Sequence, residues 1–530
     1  MTEASSVRAP GALPAAGRAV HELVHERARR LPDAVAVVWE GEILSYRELE
    51  ERAAPVTAAL RALGGVEGTP VAVRTPRGPR QVAALLGVLD AGAHLVCVGT
   101  GDAGERGRVV LADVRPSCLV VDGDGARDEL ARWFAAELGG AVVDLAALDP
   151  AGERAHPVPA EPGGRAYVAY TSGSTGRPKG IAQSHATLAE FVTWFAGEFG
   201  IGPGARVAQW AAPGYDASLV EIFAALTAGA TLCPVPERAR ANPERLAAWL
   251  DAERINLFQT VPSFARRLLE AIAAGGAPSW LDHLLLAGEP LPGELANGLR
   301  AALPSTRLVN LYGPTESILA TWHEVTGPVE GMTPIGRPIP GREVLVVDEL
   351  DRPRPAGVTG QIVVRGPHVT PGYVGAAGAE TAPFVPLDGP GGPDGPTYRT
   401  GDLGLVRPDG VLEFGGREDF QVKFNGVRME LTEIEAALAA HESVAECAVT
   451  AVRGADGLVA RLVAYVVPRP APESRPDVWR AVLRRRFGAA MPPVSFTALD
   501  RLPRNVGGKV DRRALPQAVP KAVVTQTMMG

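Results

Sequence analysis

Between Tyr170 and Gly180 the chain reads Tyr-Thr-Ser-Gly-Ser-Thr-Gly-Arg-Pro-Lys-Gly, with hydroxyl residues alternating with glycines before a lysine. Glycine turns through positive φ and lets the backbone approach a ligand closely, so successive N–H groups can converge on one anion. Thr171, Ser172, Ser174 and Thr175 add hydroxyl donors around Gly173 and Gly176, and Lys179 adds a positive charge. That set suits a polyphosphate. The order is not that of the P-loop, Gly-x4-Gly-Lys-Ser/Thr opening a helix, because Pro178 stands before the lysine. A flexible Gly/Ser surface loop is the plain alternative. Lys179 and the apolar run Tyr167–Tyr170, which reads as a buried strand feeding the loop, favour phosphate.

Short strands alternate with helices on both sides of this loop. Before it the pattern gives a helix from Val20, a hairpin through Glu40 and Gly41, a helix over 48–62, strands at 71–74, 94–98 and 117–122, and helices at 80–91 and 105–114. After it come helices at 188–199, 219–229 and 243–253 and strands at 206–209, 231–234 and 256–261. Such alternation predicts an α/β fold of stacked, mostly parallel sheets with helices on both faces. From about Val325 short strands punctuated by Gly and Pro predict a β-rich subdomain. Residues 377–397 read as an exposed Gly/Pro loop, and a compact α+β tail begins past Gly415. The expected division is a loose N-terminus over 1–18, a large N-terminal core over 19–417 and a small mobile C-terminal lid over 418–530.

At 530 residues the chain exceeds a single core and suggests roughly three or four structural units. A net charge of −7 offers nothing to nucleic acid or an acidic membrane. Arg484–Arg486 reads as a solvated helix face. Cys97, Cys118, Cys233 and Cys447 lie far apart, which indicates neither a zinc site nor a disulfide framework. No apolar run reaches the ~20 residues of a membrane span and no signal peptide is evident, so a cytoplasmic location is expected.

Seven ordered motifs then point to one family. They are Leu44–Leu49, the glycine loop, Tyr215–Ser218, Asn310–Glu316, Tyr398–Leu403, Gly416–Lys423 continuing to Arg428–Leu431, and Gly508–Arg512. Across roughly residues 20–516 the chain resembles the adenylate-forming enzymes: acyl- and aryl-CoA ligases, luciferases and adenylation domains of nonribosomal peptide synthetases. The resemblance implies ATP and Mg²⁺ as cofactors. Tyr312 with Gly313 and Pro314 offers a ring and a rigid turn to a purine, and Thr315 a hydroxyl to phosphate. Glu316 is a hard oxygen ligand suited to Mg²⁺ between phosphates. Asp402 can accept both ribose hydroxyls, with the Arg417 fork nearby. By resemblance Gly288, Glu289, Asn310 and Phe414 also belong to the nucleotide site. Lys509 would bridge carboxylate and α-phosphate, and its loss should cost about 3–4 kcal/mol in the transition state. Lys179 would close over the β- and γ-phosphates, and Asp419 would be the hinge of the tail, letting one site serve adenylation and thioester formation.

Asp216 decides the acid. In amino-acid-activating members the matching aspartate binds the substrate ammonium, and a buried carboxylate without a counter-charge is costly. A helix N-cap is the plain alternative. The family's substrate positions project onto Tyr215, Asp216, Ala217, Val220, Gln259, Leu285, Ala287, Gly288, Leu311, Leu319 and Ala320, with Lys509 closing the site. The lining is apolar around one neutral amide, so an α- or β-amino acid with an uncharged, largely apolar side chain is expected. The expected function is ATP-dependent formation of aminoacyl-AMP, then transfer to the phosphopantetheine thiol of a separate carrier protein by a free-standing enzyme. The alternatives are a CoA ligase for an amine-free acid and an inactive binding module that keeps the fold.

Overall fold

The computed structural model describes residues 6–8, 17–100, 104–149, 152, 155–171, 178–375, 384, 395–417, 421–454, 456–469, 474–488, 491–504 and 510–516. Two large sheets carry the body. One has nine strands in the order Arg337–Pro338, Thr321–Glu324, Arg307–Tyr312, His283–Ala287, Leu257–Thr260, Arg206–Gln209, Thr231–Pro234, Val35–Trp39 and Glu42–Ser45. Neighbours are parallel from Arg307–Tyr312 through to Val35–Trp39, and antiparallel strands finish both edges. The other has seven: Tyr373–Val374, Lys179–Ser184, Arg165–Thr171, His94–Cys97, Pro70–Arg74, Cys118–Val121 and Ala141–Asp144.

Local sequence explains many element ends. Ser45 caps the helix Tyr46–Ala62, accepting from Glu48 N while the Glu48 carboxylate reaches back to Ser45 N, a reciprocal capping box. The helix Asp216–Ala228 is apolar almost all round and is accordingly buried between layers. Strand alternation sorts the side chains of the nine-stranded sheet. Val207, Leu257, Leu285, Val309 and Leu311 face one core with Leu219 and Val220 of that helix. Ala208, Phe258, Leu284, Leu286 and Leu308 face another with Phe264 and Leu268. The first core also takes Val71, Leu95 and Tyr167 from the seven-stranded sheet, so it lies between the two sheets.

A five-stranded antiparallel sheet forms the β-rich part: 6–8, Glu343–Val347, Gly360–Arg365, Thr397–Val406 and Leu412–Arg417. Residues 6–8, expected within a loose terminus, instead make its edge, pairing antiparallel with 343–345. Past residue 420 come a hairpin of Gln421–Phe424 and Val427–Glu430, the helix Leu431–Ala439 and three strands, Val444–Arg453, Val459–Pro468 and Val494–Ala498. The last strand had no clear sequence signal behind Pro492 and Pro493, and is recruited by parallel pairing with Val459–Pro468. This unit touches the body through Arg486–Glu105 (2.9 Å) and Arg266–Asp456 (3.1 Å). The basic triplet is therefore not wholly a solvated face. Among the described residues no helix is long and apolar enough to cross a membrane.

Candidate active site

Thr171, Gln209, Thr260, Ala287 and Tyr312 each end a strand of the two main sheets. The segments that follow these strand ends carry the motif residues. That is where an open α/β sheet places its ligand crevice. Thr171 pairs with Lys179 across an antiparallel ladder, so the residues flanking the glycine loop on either side lie on neighbouring antiparallel strands. Ser172, Gly173, Ser174, Thr175 and Gly176 lie outside the described residues, as do Asp419 and Lys509. The flanks are informative: Thr171 Oγ1 is buried without a partner among the described residues, and Lys179 is buried with its ammonium 5.0 Å from the Tyr373 ring centroid.

Asp402, expected at the ribose, accepts from Tyr312 Oη and from Arg417 Nη1, both at 2.5 Å. Phe414 packs against Tyr312 with ring centroids 6.2 Å apart. Two expected nucleotide residues, Tyr312 and Arg417, thus converge on one buried carboxylate, and a third, Phe414, packs on the Tyr312 ring. Gly313 has φ 156°, and a Cβ there would collide with the Leu319 and Ala320 backbone, so the turn needs glycine. The Thr315 hydroxyl works against burial at Asp216, holding its carboxyl lower than burial alone would. Two further expected nucleotide residues make contacts within the protein. Asn310 Nδ2 donates to Pro334 O at 2.8 Å, so its donor braces the fold. Glu289 accepts Ser263 N (2.8 Å) and Gly426 N (3.0 Å), tying a helix N-terminus to the C-terminal hairpin.

Glu316 is fully enclosed. Its Oε1 accepts from Tyr398 (2.8 Å) and Tyr373 (3.0 Å), and Arg428 Nη1 lies 3.2 Å from both carboxylate oxygens. Burial alone would raise its carboxyl, but Arg428 and the two phenols hold it below the ordinary carboxylate range. In this arrangement a dication does not fit at Glu316, because a guanidinium already occupies the place. Lys423, on the same hairpin as Arg428, is lowered by burial against the pull of Asp402. Gly426 makes the approach possible: with φ 75°, a Cβ there would run into Val261.

Asp216 starts the helix Asp216–Ala228, whose N-cap is Tyr215. It is therefore not itself the cap. The carboxylate is half-buried and accepts Ala217 N at 3.0 Å, and no ion pair reaches it among the described residues. Burial pushes it up to about 6, assisted by Glu316. Gln259, Leu285, Ala287 and Leu311 lie on the sheet face that this helix covers, together with its Val220. Leu319 packs at the edge of the same core, followed by the buried Ala320. Gln259 Oε1 is buried with no partner among the described residues. Gly288 turns at φ 87° after Ala287.

Residues 24–374 match the AMP-binding enzyme family, and residues 433–509 match the AMP-binding enzyme C-terminal domain. The chain belongs to the AMP-binding enzyme family. Phosphinothricin tripeptide synthetase PhsB of Streptomyces viridochromogenes is 39% identical over 93% of this chain and 42% of its own length. The AMB antimetabolite synthetase AmbB of Pseudomonas aeruginosa is 37% identical over 96% and 39%. The chain thus spans about two fifths of those relatives. Among solved structures, IdnL1 aligns with a TM-score of 0.75 at 30% identity, covering 92% of this chain and 98% of that one. Holo-PA1221, an NRPS protein containing adenylation and PCP domains, aligns at 0.79 with 25% identity, over 94% and 84%. This AMP-binding enzyme is an AMP-forming ligase of the nonribosomal peptide synthetase adenylation type. Sequence reasoning missed Tyr373, Tyr398 and the role of Arg428. Arg428 lay inside a quoted motif, but its partner Glu316 is 112 residues away.

Proposed function

We propose that this enzyme activates an amino acid, α or β, with an uncharged side chain, and transfers it to a carrier-protein thiol. The observation that carries the reading is Asp216: a half-buried carboxylate at a helix start with no cationic partner among the described residues. A substrate ammonium supplies the missing charge, and an amine-free acid would leave it uncompensated. The substrate carboxylate attacks the α-phosphorus of ATP, the bond to the β-phosphate oxygen breaks, and pyrophosphate leaves. A phosphopantetheine thiolate then attacks the acyl carbon and AMP departs.

In this reading Asp402 takes the ribose hydroxyls, Tyr312 and Phe414 line the base, and Lys179 with the glycine loop holds the outgoing phosphates. Lys509 stabilises the charge that builds at the α-phosphate. Mg²⁺ would supply charge neutralisation between phosphates, and Glu316 could hold it only without the Arg428 contact. The likeness to a protein containing adenylation and PCP domains supports a carrier partner. The test is amino-acid-dependent pyrophosphate exchange over α- and β-amino acids, with Asp216→Asn beside the parent. Exchange with at least one amino acid, lost in the variant, is expected. Activity of Asp216→Asn equal to the parent would point to an amine-free acid.

A further inference from the structure

The turn after Glu316 is held in an unusual shape. Ile318 (φ 46°) and Leu319 (φ 66°) are consecutive non-glycine residues in the left-handed region, which a β-branched residue rarely adopts. Such a backbone persists only where its surroundings over-determine it. Here one side chain does so. Arg342, 3% exposed, donates Nε to Ser317 O (3.0 Å) and Leu319 O (2.6 Å). Its Nη2 donates to Ser317 O (2.7 Å) and Ile318 O (3.3 Å), and its Nη1 to Pro340 O (3.1 Å).

No carboxylate touches this guanidinium among the described residues. Its charge is met through His368, whose Nδ1 lies 3.4 Å from Nη1, while Nε2 lies 2.5 Å from Glu190 Oε2. Arginine only donates, so Nδ1 accepts and Nε2 carries the proton toward Glu190. The Phe191 ring, 5.2 Å from the guanidinium carbon, closes the other side. Glu190 and Phe191 both sit on the helix His185–Glu198 in the central core. The turn is thereby fastened to a helix of the buried core.

We propose that Arg342 is a positioning residue that sets the floor of the amino-acid pocket and so limits which side chain is accepted. The proposal rests on the reading that Leu319 and Ala320 face the substrate side chain. Three consecutive carbonyls converge on one planar fork. Lysine cannot reproduce that geometry from a single ammonium. Without the fork, buried carbonyls lose their donors, and the two left-handed residues are free to relax and move Leu319.

The test uses Arg342→Lys and Arg342→Ala in the full chain. Arg342→Lys keeps the charge, and it decides the matter should the alanine variant not fold. Hydrogen exchange at amides 317–321 is expected to quicken by about tenfold or more, with the strand at 257–260 unchanged. The amino-acid KM should rise with the ATP KM nearly constant. Preference for the best amino acid over its homologue one methylene longer should shrink by about tenfold. Added methylguanidine should restore part of that preference to Arg342→Ala. Unchanged exchange at 317–321 in a folded Arg342→Lys overturns the clamp whatever the substrate. Quickened exchange with intact selectivity overturns its role in specificity. Failure of the parent to exchange with any amino acid counts against the amino-acid reading, and hydrogen exchange then decides the clamp alone.

Discussion

Replacing Arg428 by alanine should release the C-terminal unit from the active site. Arg428 brings the only cation bonded to Glu316 among the described residues, 3.2 Å from both oxygens of a carboxylate with no solvent exposure. Removing one member of a buried pair costs roughly 3–5 kcal/mol, because the remaining charge stays buried. At 1.4 kcal/mol per decade, the ratio of docked to released molecules should fall by about two to three and a half orders of magnitude. The remaining contacts are weaker. Arg486–Glu105 is partly exposed and worth about 0–1 kcal/mol. The Gly426 N–H to Glu289 bond adds about 1.5–3 kcal/mol. Spin labels at the exposed positions Arg61 and Glu442 would report the distance distribution between the two units. A single docked peak in the parent, broadening or shifting in Arg428→Ala, is the expected outcome. Identical distributions would refute the idea that this pair holds the arrangement.

Three further outcomes are expected. Amino-acid KM should rise as pH falls through about 6, where Asp216 takes up its proton, and Asp216→Asn should show a high KM without that pH dependence, a loss of about 2–4 kcal/mol in kcat/KM. His25 is buried with Nδ1 2.6 Å from Glu50 and Nε2 2.7 Å from Asp90. Burial works against its charge, but the two carboxylates raise it to about 9 from an ordinary 6.5, so the folded state holds the proton more tightly. Its contribution, a few kcal/mol at most and roughly 2–3, is full below pH 6.5 and lost as pH rises through 9. Urea unfolding from pH 6 to 10 should show that loss in the parent and not in His25→Gln. Gln259→Leu should raise Tm, by removing a buried amide oxygen with no partner at a cost of about 1–3 kcal/mol, while changing the preferred substrate in the exchange assay.

The chemistry of single stretches was legible in the chain alone. The glycine loop with Lys179, the capping box at Ser45 and Glu48, the Asp216 motif and the order of the seven motifs depend on neighbours within a few residues, where backbone preference and side-chain type act directly. The tertiary structure decided what those residues touch. It placed Thr171, Gln209, Ala287 and Tyr312 at the ends of separate strands in the two main sheets. It gave Asn310 and Glu289, both expected at the nucleotide site, partners in Pro334, Ser263 and Gly426. It set Arg428 on Glu316, where a metal had been expected, and Arg342 on the carbonyls of Ser317, Ile318 and Leu319. These pairings join residues 23 to 137 positions apart, and the closing of such distances is a matter of strand order and layer packing, which no local pattern encodes.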